Sequence, residues 1–301
     1  MFRLLLVTAA LALSACASDD SASAPTPPAP SALGDSVEAI VARYPGATVA
    51  VAVRHTDGGR TTSYTRNGDR DFHAASTMKV PVMIEAFRQV EDGRRSWDDP
   101  VRVENRFRSI VDGSEYAIED DSDDALYQLQ GQDLTLRNLT ERAITTSSNL
   151  ATNLLIGLVT ADSVQATVDR LGAPGMKVLR GVEDIKAFEA GLSNRTTANA
   201  LATLLEAIRD GQAVSPSADA EMVDVLDDQA FNEMIPAGLP EGTRVAHKTG
   251  WITEIHHDAA IVYGGAAPYV LVILTEGIAD RDVSSRLGAE IAAAVHAALE
   301  A

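Results

Sequence analysis

Cysteine is almost absent from this sequence of 301 residues, in which Cys16 is the only one. A single thiol cannot form an internal disulfide, so packing must hold the fold together. Basic residues are also scarce, because 25 lysines and arginines face 43 acidic residues and give a formal net charge of −18. Such a charge repels phosphate backbones and anionic membrane surfaces. We therefore expect no nucleic-acid partner.

Internal repeats are missing as well, and no second linker follows residue 33. Hydrophobic residues make up 46% of the chain, which is enough to bury a large core in one domain or in two closely packed lobes. We therefore expect a single folded unit over residues 34–301.

The N-terminal residues have the pattern of a secretory signal: Arg3, an apolar run over residues 4–13 and small residues before Cys16. The run is too short to span a bilayer. Residues 13–16, LSAC, also resemble the lipobox of bacterial lipoproteins, in which the thiol receives a diacylglycerol. An ordinary cleavable signal is the alternative.

From these patterns we expect residues 1–15 to be a lipoprotein-type signal peptide and residues 16–33 to be a Ser/Ala/Pro-rich linker. The mature protein would then be an exported bacterial protein, periplasmic or on the cell surface, held to a membrane by a lipid on Cys16.

Strand patterns occur near both ends of the domain, and helical periodicity dominates between them. The predicted strands are residues 48–53, 61–65, 243–248, 257–263 and 269–275. The predicted helices are residues 36–43, a helix entered through Ser76, and residues 136–144, 150–159, 163–171, 197–209 and 281–299. This order predicts an α/β plus all-α fold: a mainly antiparallel sheet formed from both chain ends, a helical lobe between them and a cleft where the lobes meet.

A lysine stands in an unusual place within residues 73–87, HAASTMKVPVMIEAF. This stretch reads as a loop entering a helix that is apolar nearly all round, with Ser76 and Lys79 on the same face. Burying an unpaired ammonium is costly, so Lys79 must be neutralised, paired or used. The alternative is an exposed helix end, with Ser76 as a simple N-cap and a lysine that reaches water.

Three further features accompany this pair: the triplet SSN at residues 147–149, Glu183 in an irregular segment, and the triplet KTG at residues 248–250. Their order and wide spacing resemble the S-x-x-K, S-D-N and K-T-G motifs of the penicillin-recognising serine hydrolases, most closely the class A β-lactamases. The resemblance covers about residues 36–301. Ser148 stands where the second motif has aspartate.

The resemblance implies a two-lobed serine β-lactamase/D,D-peptidase-like fold and a role for each matching residue. Ser76 would be the nucleophile and Lys79 its base, while Ser147 would carry the proton to the leaving nitrogen. The backbone N–H groups of Ser76 and Trp251 would form the oxyanion hole. Glu183 would activate the water that releases the acyl group. The implied substrate-binding residues are Asn149, Lys248, Thr249, Gly250 and Trp251.

The sequence departs from the family pattern after the glutamate. The family has Glu-x-x-Leu-Asn, whereas residues 183–187 read EDIKA, without the asparagine that holds the water. Lys186 could also pair with Glu183 and lower its basicity. The non-catalytic interpretation of Glu183 is a solvated acidic turn.

The gap before Ser147 is longer than usual, and its acidic run predicts a solvated loop near the cleft mouth that could bring Tyr116 or Tyr127 to the substrate. His256 and His257 point to opposite faces of a strand and cannot easily share an ion. We assign no metal and no cofactor.

The leading hypothesis is therefore an exported monomeric serine β-lactamase acting on small-molecule β-lactams. One alternative is a D,D-peptidase acting on peptidoglycan stem peptides. The other is a β-lactam-binding protein that is acylated without turnover.

Overall fold

The computed structural model describes Met1 and residues 32–57, 59–265 and 267–300. Cys16, the predicted signal peptide after Met1 and most of the predicted linker lie outside the described residues. The first helix, α1 (Ala32–Val41), begins slightly ahead of the predicted domain start at residue 34, and Leu33 in its first turn is already buried.

An antiparallel sheet of five strands joins the two ends of the folded chain, as predicted. Its strands are β1 (Thr48–Asp57), β2 (Arg60–Arg66), β9 (Arg244–Ile252), β10 (Ile255–Tyr263) and β11 (Tyr269–Glu276). Their order is β2-β1-β11-β10-β9, so the first strand pairs directly with the last.

Helices and short strands fill the chain between β2 and β9. The helices are α2 (Lys79–Glu91), α3 (Asp124–Tyr127), α4 (Leu136–Thr145), α5 (Asn149–Val159), α6 (Ala161–Arg170), α7 (Ile185–Glu189), α8 (Ala198–Arg209) and α9 (Pro216–Asp227). The short strands are β3 (Phe72–His73), β4 (Pro100–Arg102), β5 (Phe107–Arg108), β6 (Glu115–Tyr116), β7 (Asp133–Thr135) and β8 (Arg195–Thr196). A last helix, α10 (Arg281–Glu300), returns to the sheet.

The alternation of side chains along β1 builds two cores on the two faces of the sheet. Val49, Val51 and Val53 face α1 and α10 in one core. Ala50 and Ala52 belong to the other core, which extends into the helical lobe. Small alanines on this second face leave room for the helices to approach. The predicted two-lobed fold is thereby confirmed.

The start of α2 differs from the prediction. We expected Ser76 to enter this helix directly, but Ser76 lies in the 3-10 turn Ala75–Met78, and α2 begins at Lys79. The expected burial of the helix is correct, since Lys79 and nearly every residue up to Phe87 are buried. None of the described helices is both long enough and apolar enough to cross a membrane.

Candidate active site

Ser76 lies in the 3-10 turn Ala75–Met78, which packs against strand β9 of the sheet. Ala75, just before it, has a φ of +45°, a conformation that costs a non-glycine residue about 1–3 kcal/mol. Gly250 of β9 approaches so closely that a Cβ there would lie 2.9 Å from the Ser76 backbone nitrogen. The Ser76 side chain lines a cavity, and no hydrogen bond to a described residue, Lys79 included, holds its hydroxyl.

Lys79 is 1% exposed, and its amine is enclosed by polar groups. Nζ donates to the Ser147 backbone oxygen at 2.6 Å and to Asn149 Oδ1 at 2.9 Å, with Ser147 Oγ at 3.3 Å. Burial lowers the pKa of Lys79 to about 7, although the carboxylates of Asp121 and Glu183 partly oppose this shift. Near neutral pH a large share of this amine is therefore uncharged and has a lone pair that can accept a proton.

Ser147 connects the two lysines of the site. It lies in the turn between α4 and α5 with a φ of +57°. Its Oγ is 3.3 Å from Lys79 Nζ and 3.0 Å from Lys248 Nζ. Ser148 caps α5 by accepting from the Ala151 N–H at 3.2 Å. The SSN triplet thus presents one hydroxyl between two buried amines.

Lys248 reaches the site from β9 and is completely buried. Its Nζ also donates to the Thr249 backbone oxygen at 2.9 Å. Burial and the nearby charge of Lys79 hold the pKa of Lys248 well below its ordinary value. Behind it, His247 Nδ1 and Asp258 Oδ1 are 2.9 Å apart and link β9 to β10.

Glu183 is connected to Lys79 through the Asn149 side chain. Its backbone has a left-handed conformation, with a φ of +58°. Its Oε1 accepts from Asn149 Nδ2 at 2.9 Å. Its Oε2 accepts from the backbone N–H of Glu119 at 2.9 Å and of Asp120 at 3.4 Å. Since a carboxylate oxygen has two acceptor positions, these two N–H groups occupy Oε2, whereas Oε1 retains one position for a water molecule.

The ion pair that Lys186 could form with Glu183 is not present in the structure. Lys186 Nζ instead donates to Asp112 Oδ2 and to Ser114 Oγ, both at 2.7 Å, because residues 109–114 fold over α7. Asp184 strengthens the same contact by accepting from the Ile110 N–H at 2.9 Å.

Two tyrosines of the long insertion have structural contacts and do not line the cavities at Ser76. Tyr116 OH donates to the Val182 backbone oxygen at 3.3 Å. Tyr127 OH donates to Asp121 Oδ2 at 3.0 Å. Asn153 also binds Val182, the partner of Tyr116, through two hydrogen bonds. It accepts from the Val182 N–H at 2.6 Å and donates to the Val182 carbonyl at 3.0 Å.

Two adjoining cavities meet at Ser76, Asp120, Asn149 and Trp251. One, of about 210 Å³, is also lined by Ser122, Ser147, Thr249, His256 and Arg281, among others. The other, of about 560 Å³, is also lined by His73, Arg180, Glu183, Phe188 and Asn194, among others. The fold therefore brings the predicted residues of all four sequence segments to one place.

Trp251 lines both cavities and is 46% exposed. The Arg281 guanidinium lies 5.5 Å from its ring centroid. Sequence reasoning missed Arg281, and its place at the first position of the last helix gave no signal of proximity to the site.

The adjacent histidines of β10 point apart as expected. His256 Nδ1 is 2.9 Å from Ser284 Oγ, whereas His257 Nε2 donates to the His73 backbone oxygen at 2.9 Å. Burial lowers the pKa of each ring to about 4, so both are neutral at pH 7. Within the described residues, no group of three or more metal-ligating side chains comes together.

A family model described as the beta-lactamase enzyme family matches residues 32–299. The chain belongs to this family. This membership confirms the resemblance to the β-lactamase family drawn from the motifs.

Among individual relatives, the beta-lactamase L2 of Stenotrophomonas maltophilia is 31% identical over 147 residues, which are 47% of this chain and 48% of that protein. The chain thus spans about half the length of this curated relative.

Among solved structures, a beta-lactamase from Sphaerobacter thermophilus is 28% identical with a TM-score of 0.75, over 88% of this chain and 96% of that one. The structure of PBP-A is 26% identical with a TM-score of 0.77, over 89% and 96% of the two chains. A variant of PBP-A has been solved as an acyl-enzyme complex with penicillin G.

Proposed function

We propose that this protein is a β-lactamase that opens the β-lactam ring through an acyl-enzyme on Ser76. The observation that carries the proposal is a free serine hydroxyl and a carboxylate on adjoining cavities, together with a buried lysine of lowered pKa that is hydrogen-bonded to Ser147 and Asn149 of the cavity lining. All of these groups come from one chain, and we propose that it works as a monomer.

Acylation would begin with transfer of the Ser76 proton to neutral Lys79. The two short hydrogen bonds from Lys79 Nζ use the two hydrogens of a neutral amine and leave its lone pair for that proton. Ser76 Oγ then attacks the lactam carbonyl carbon, and the N–H groups of Ser76 and Trp251 stabilise the oxyanion. As the C–N bond breaks, Ser147 donates its hydroxyl proton to the lactam nitrogen and receives in return the proton that Lys79 took from Ser76.

Substrate anchoring would use the cavity wall formed by β9. Lys248 and Thr249 would bind the substrate carboxylate, with Gly250 leaving room for the nucleophile turn, and Asn149 would bind the amide side chain. Arg281 adds a guanidinium to the same wall.

Deacylation would use Glu183 as the general base for a water molecule that attacks the Ser76 ester. The family asparagine is absent after Glu183, but backbone N–H groups of residues 119 and 120 and the Asn149 amide hold the carboxylate in place. A fixed carboxylate on the same cavity as the nucleophile favours hydrolysis over a permanent adduct.

The D,D-peptidase remains the second candidate, because such enzymes use the same three motifs and the asparagine after Glu183 is missing. The third candidate, acylation without turnover, rests on the same missing asparagine. The β-lactamase proposal is tested by mixing the purified domain with excess chromogenic cephalosporin. Many equivalents of ring-opened product per protein are expected, whereas a burst of one equivalent would contradict the proposal.

We propose in addition that the protein is exported and anchored to a membrane through a lipid on Cys16, on the strength of the signal pattern in residues 1–16. Cys16→Ala should then move the protein from the membrane fraction to the soluble fraction. An unchanged distribution would contradict the lipid anchor and leave an ordinary signal peptide.

A further inference from the structure

An acidic side chain from the long insertion reaches the start of α5, where the second motif lies. Asp121 Oδ1 accepts from the Asn149 N–H at 2.9 Å, and Oδ2 accepts from the Leu150 N–H at 2.8 Å. Ser148 Oγ at 3.3 Å and Tyr127 OH at 3.0 Å also donate to this carboxylate. Four donors therefore converge on one side chain, which is not the solvated loop residue that the sequence predicted.

We propose that Asp121 is a positioning residue for acylation, supplying from a distant loop the carboxylate that residue 148 lacks. The inference rests on the proposed function, since it concerns the same reaction at Ser76. Asp121 lies 27 residues before Ser148 in the sequence and meets it only in the folded chain.

The contacts show why Ser148 cannot fill this role alone. Its hydroxyl already caps α5 by accepting from the Ala151 N–H, and it donates its own hydrogen to Asp121. The N–H groups of Asn149 and Leu150 would have no partner from within the helix, because the first N–H groups of a helix lack intrahelical acceptors. A carboxylate there satisfies both and is further favoured by the helix dipole.

Asp121 acts on the reaction through two groups that it fixes. Asn149, held by its backbone N–H, presents Oδ1 to Lys79 Nζ at 2.9 Å. Ser147, two residues before Asn149, is strained at a φ of +57° and presents its carbonyl to the same amine at 2.6 Å. Without the Asp121 carboxylate, the turn at Ser147 could relax, and Lys79 would then shift relative to Ser76.

The Asp121 charge also bears on the protonation of Lys79. The groups that face this amine are the carboxylates of Asp121 and Glu183, which favour its charged form, and the neighbouring amine of Lys248, whose own pKa the charge of Lys79 lowers. Removing the Asp121 charge should therefore lower the pKa of Lys79 further. A shift of the acid limb to lower pH therefore distinguishes a positioning role from general damage to the site. General damage would slow acylation but would not lower the pH at which the rate rises.

The experiment measures the second-order rate constant for labelling by a fluorescent penicillin across pH 5.5 to 9. Asp121→Asn keeps the shape but replaces one acceptor oxygen with a donor. We expect labelling about ten- to a hundredfold slower at pH 8, because small displacements of catalytic groups have effects of this order. We also expect the midpoint of the acid limb to move to lower pH. Asp124→Asn, an exposed carboxylate at the start of α3, is the matched control and should stay within threefold of the parent.

A second variant keeps the test decisive if Asp121→Asn does not fold. Adding Ser148→Asp to Asp121→Asn returns one carboxylate to the start of α5, where aspartate is a favoured cap. This double variant should label within tenfold of the parent, and a folded double variant outside that range would overturn the inference.

Two results of the main experiment would contradict the role of Asp121 alone. One is a rate constant for Asp121→Asn within threefold of the parent, and the other is slower labelling with an unmoved acid limb. If the parent itself is not labelled, the proposed function fails, and the inference fails with it.

Discussion

Glu183 decides whether this site releases its acyl group, so Glu183→Gln is the most informative single change. If Glu183 activates the deacylating water, the variant loses the base and should hydrolyse the acyl-enzyme about a hundred- to ten-thousandfold more slowly. This corresponds to about 2.7–5.5 kcal/mol of transition-state stabilisation. Attack by Ser76 uses Lys79, so we expect acylation to slow by no more than about tenfold.

The hydrogen bonds of Glu183 also predict a cost for the folded state. A glutamine that keeps its oxygen toward the N–H groups of residues 119 and 120 turns its amide nitrogen toward Asn149 Nδ2, which is also a donor. Asn149 cannot rotate to relieve this clash without turning the same nitrogen toward Lys79. In the Glu183→Gln variant, two donors would then face each other without an acceptor. This should lower the free energy of unfolding by about 1–3 kcal/mol.

The assay is intact-mass spectrometry after mixing with penicillin G, followed by removal of excess ligand and a time course of adduct loss. The Glu183→Gln protein should be largely modified when the parent is already free. Glu189→Gln is the matched control, because Glu189 ends α7 in the same segment and is exposed. Equal adduct lifetimes in parent and variant would refute the role of Glu183 and favour the peptidase or the non-hydrolysing binder.

Three further predictions follow from the geometry. The acylation rate should rise with pH through about 7, because Lys79 must be neutral and its pKa is lowered to about 7; a limb near pH 10 in stopped-flow measurements would contradict this. Gly250→Ala should be acylated at least about tenfold more slowly than the parent. The reason is that the new Cβ would lie 2.9 Å from the Ser76 nitrogen and 3.1 Å from the Thr77 nitrogen. An unchanged labelling rate would show that the turn accommodates a methyl group. Lys186→Ala should leave the adduct lifetime within about threefold of the parent, because Lys186 pairs with Asp112 and not with Glu183; a longer lifetime in the mass-spectrometric time course would show that Lys186 supports deacylation.

Local patterns were enough to predict most regular elements. The β-branched run at residues 48–53 lies within β1, and the helical pattern at residues 197–209 matches α8, in which Thr197 is the N-cap and accepts from the Ala200 N–H. Helix α9 was missed although Ser215 and Pro216 are typical of a helix start.

The parts of the site that sequence reasoning missed depend on contacts between distant residues. The motif residues could be predicted because their types, order and spacing resemble the three motifs of a known family. Asp121 could not, because its partners at the start of α5 are 27 to 29 residues away and an acidic run is usually solvated. The left-handed backbone of Ala75, Ser147 and Glu183 was also hidden, since none of these is glycine and packing imposes the strain.

The central claim, that Ser76 forms the acyl-enzyme, is tested most directly by locating the adduct. The parent should gain the mass of penicillin G in the first moments of mixing, and peptide mapping should place that mass on Ser76. Ser76→Ala should gain nothing, while Ser122→Ala, which removes another hydroxyl lining the same cavity, should be labelled like the parent. An adduct on any other residue, or labelling of Ser76→Ala at the parental rate, would contradict the account.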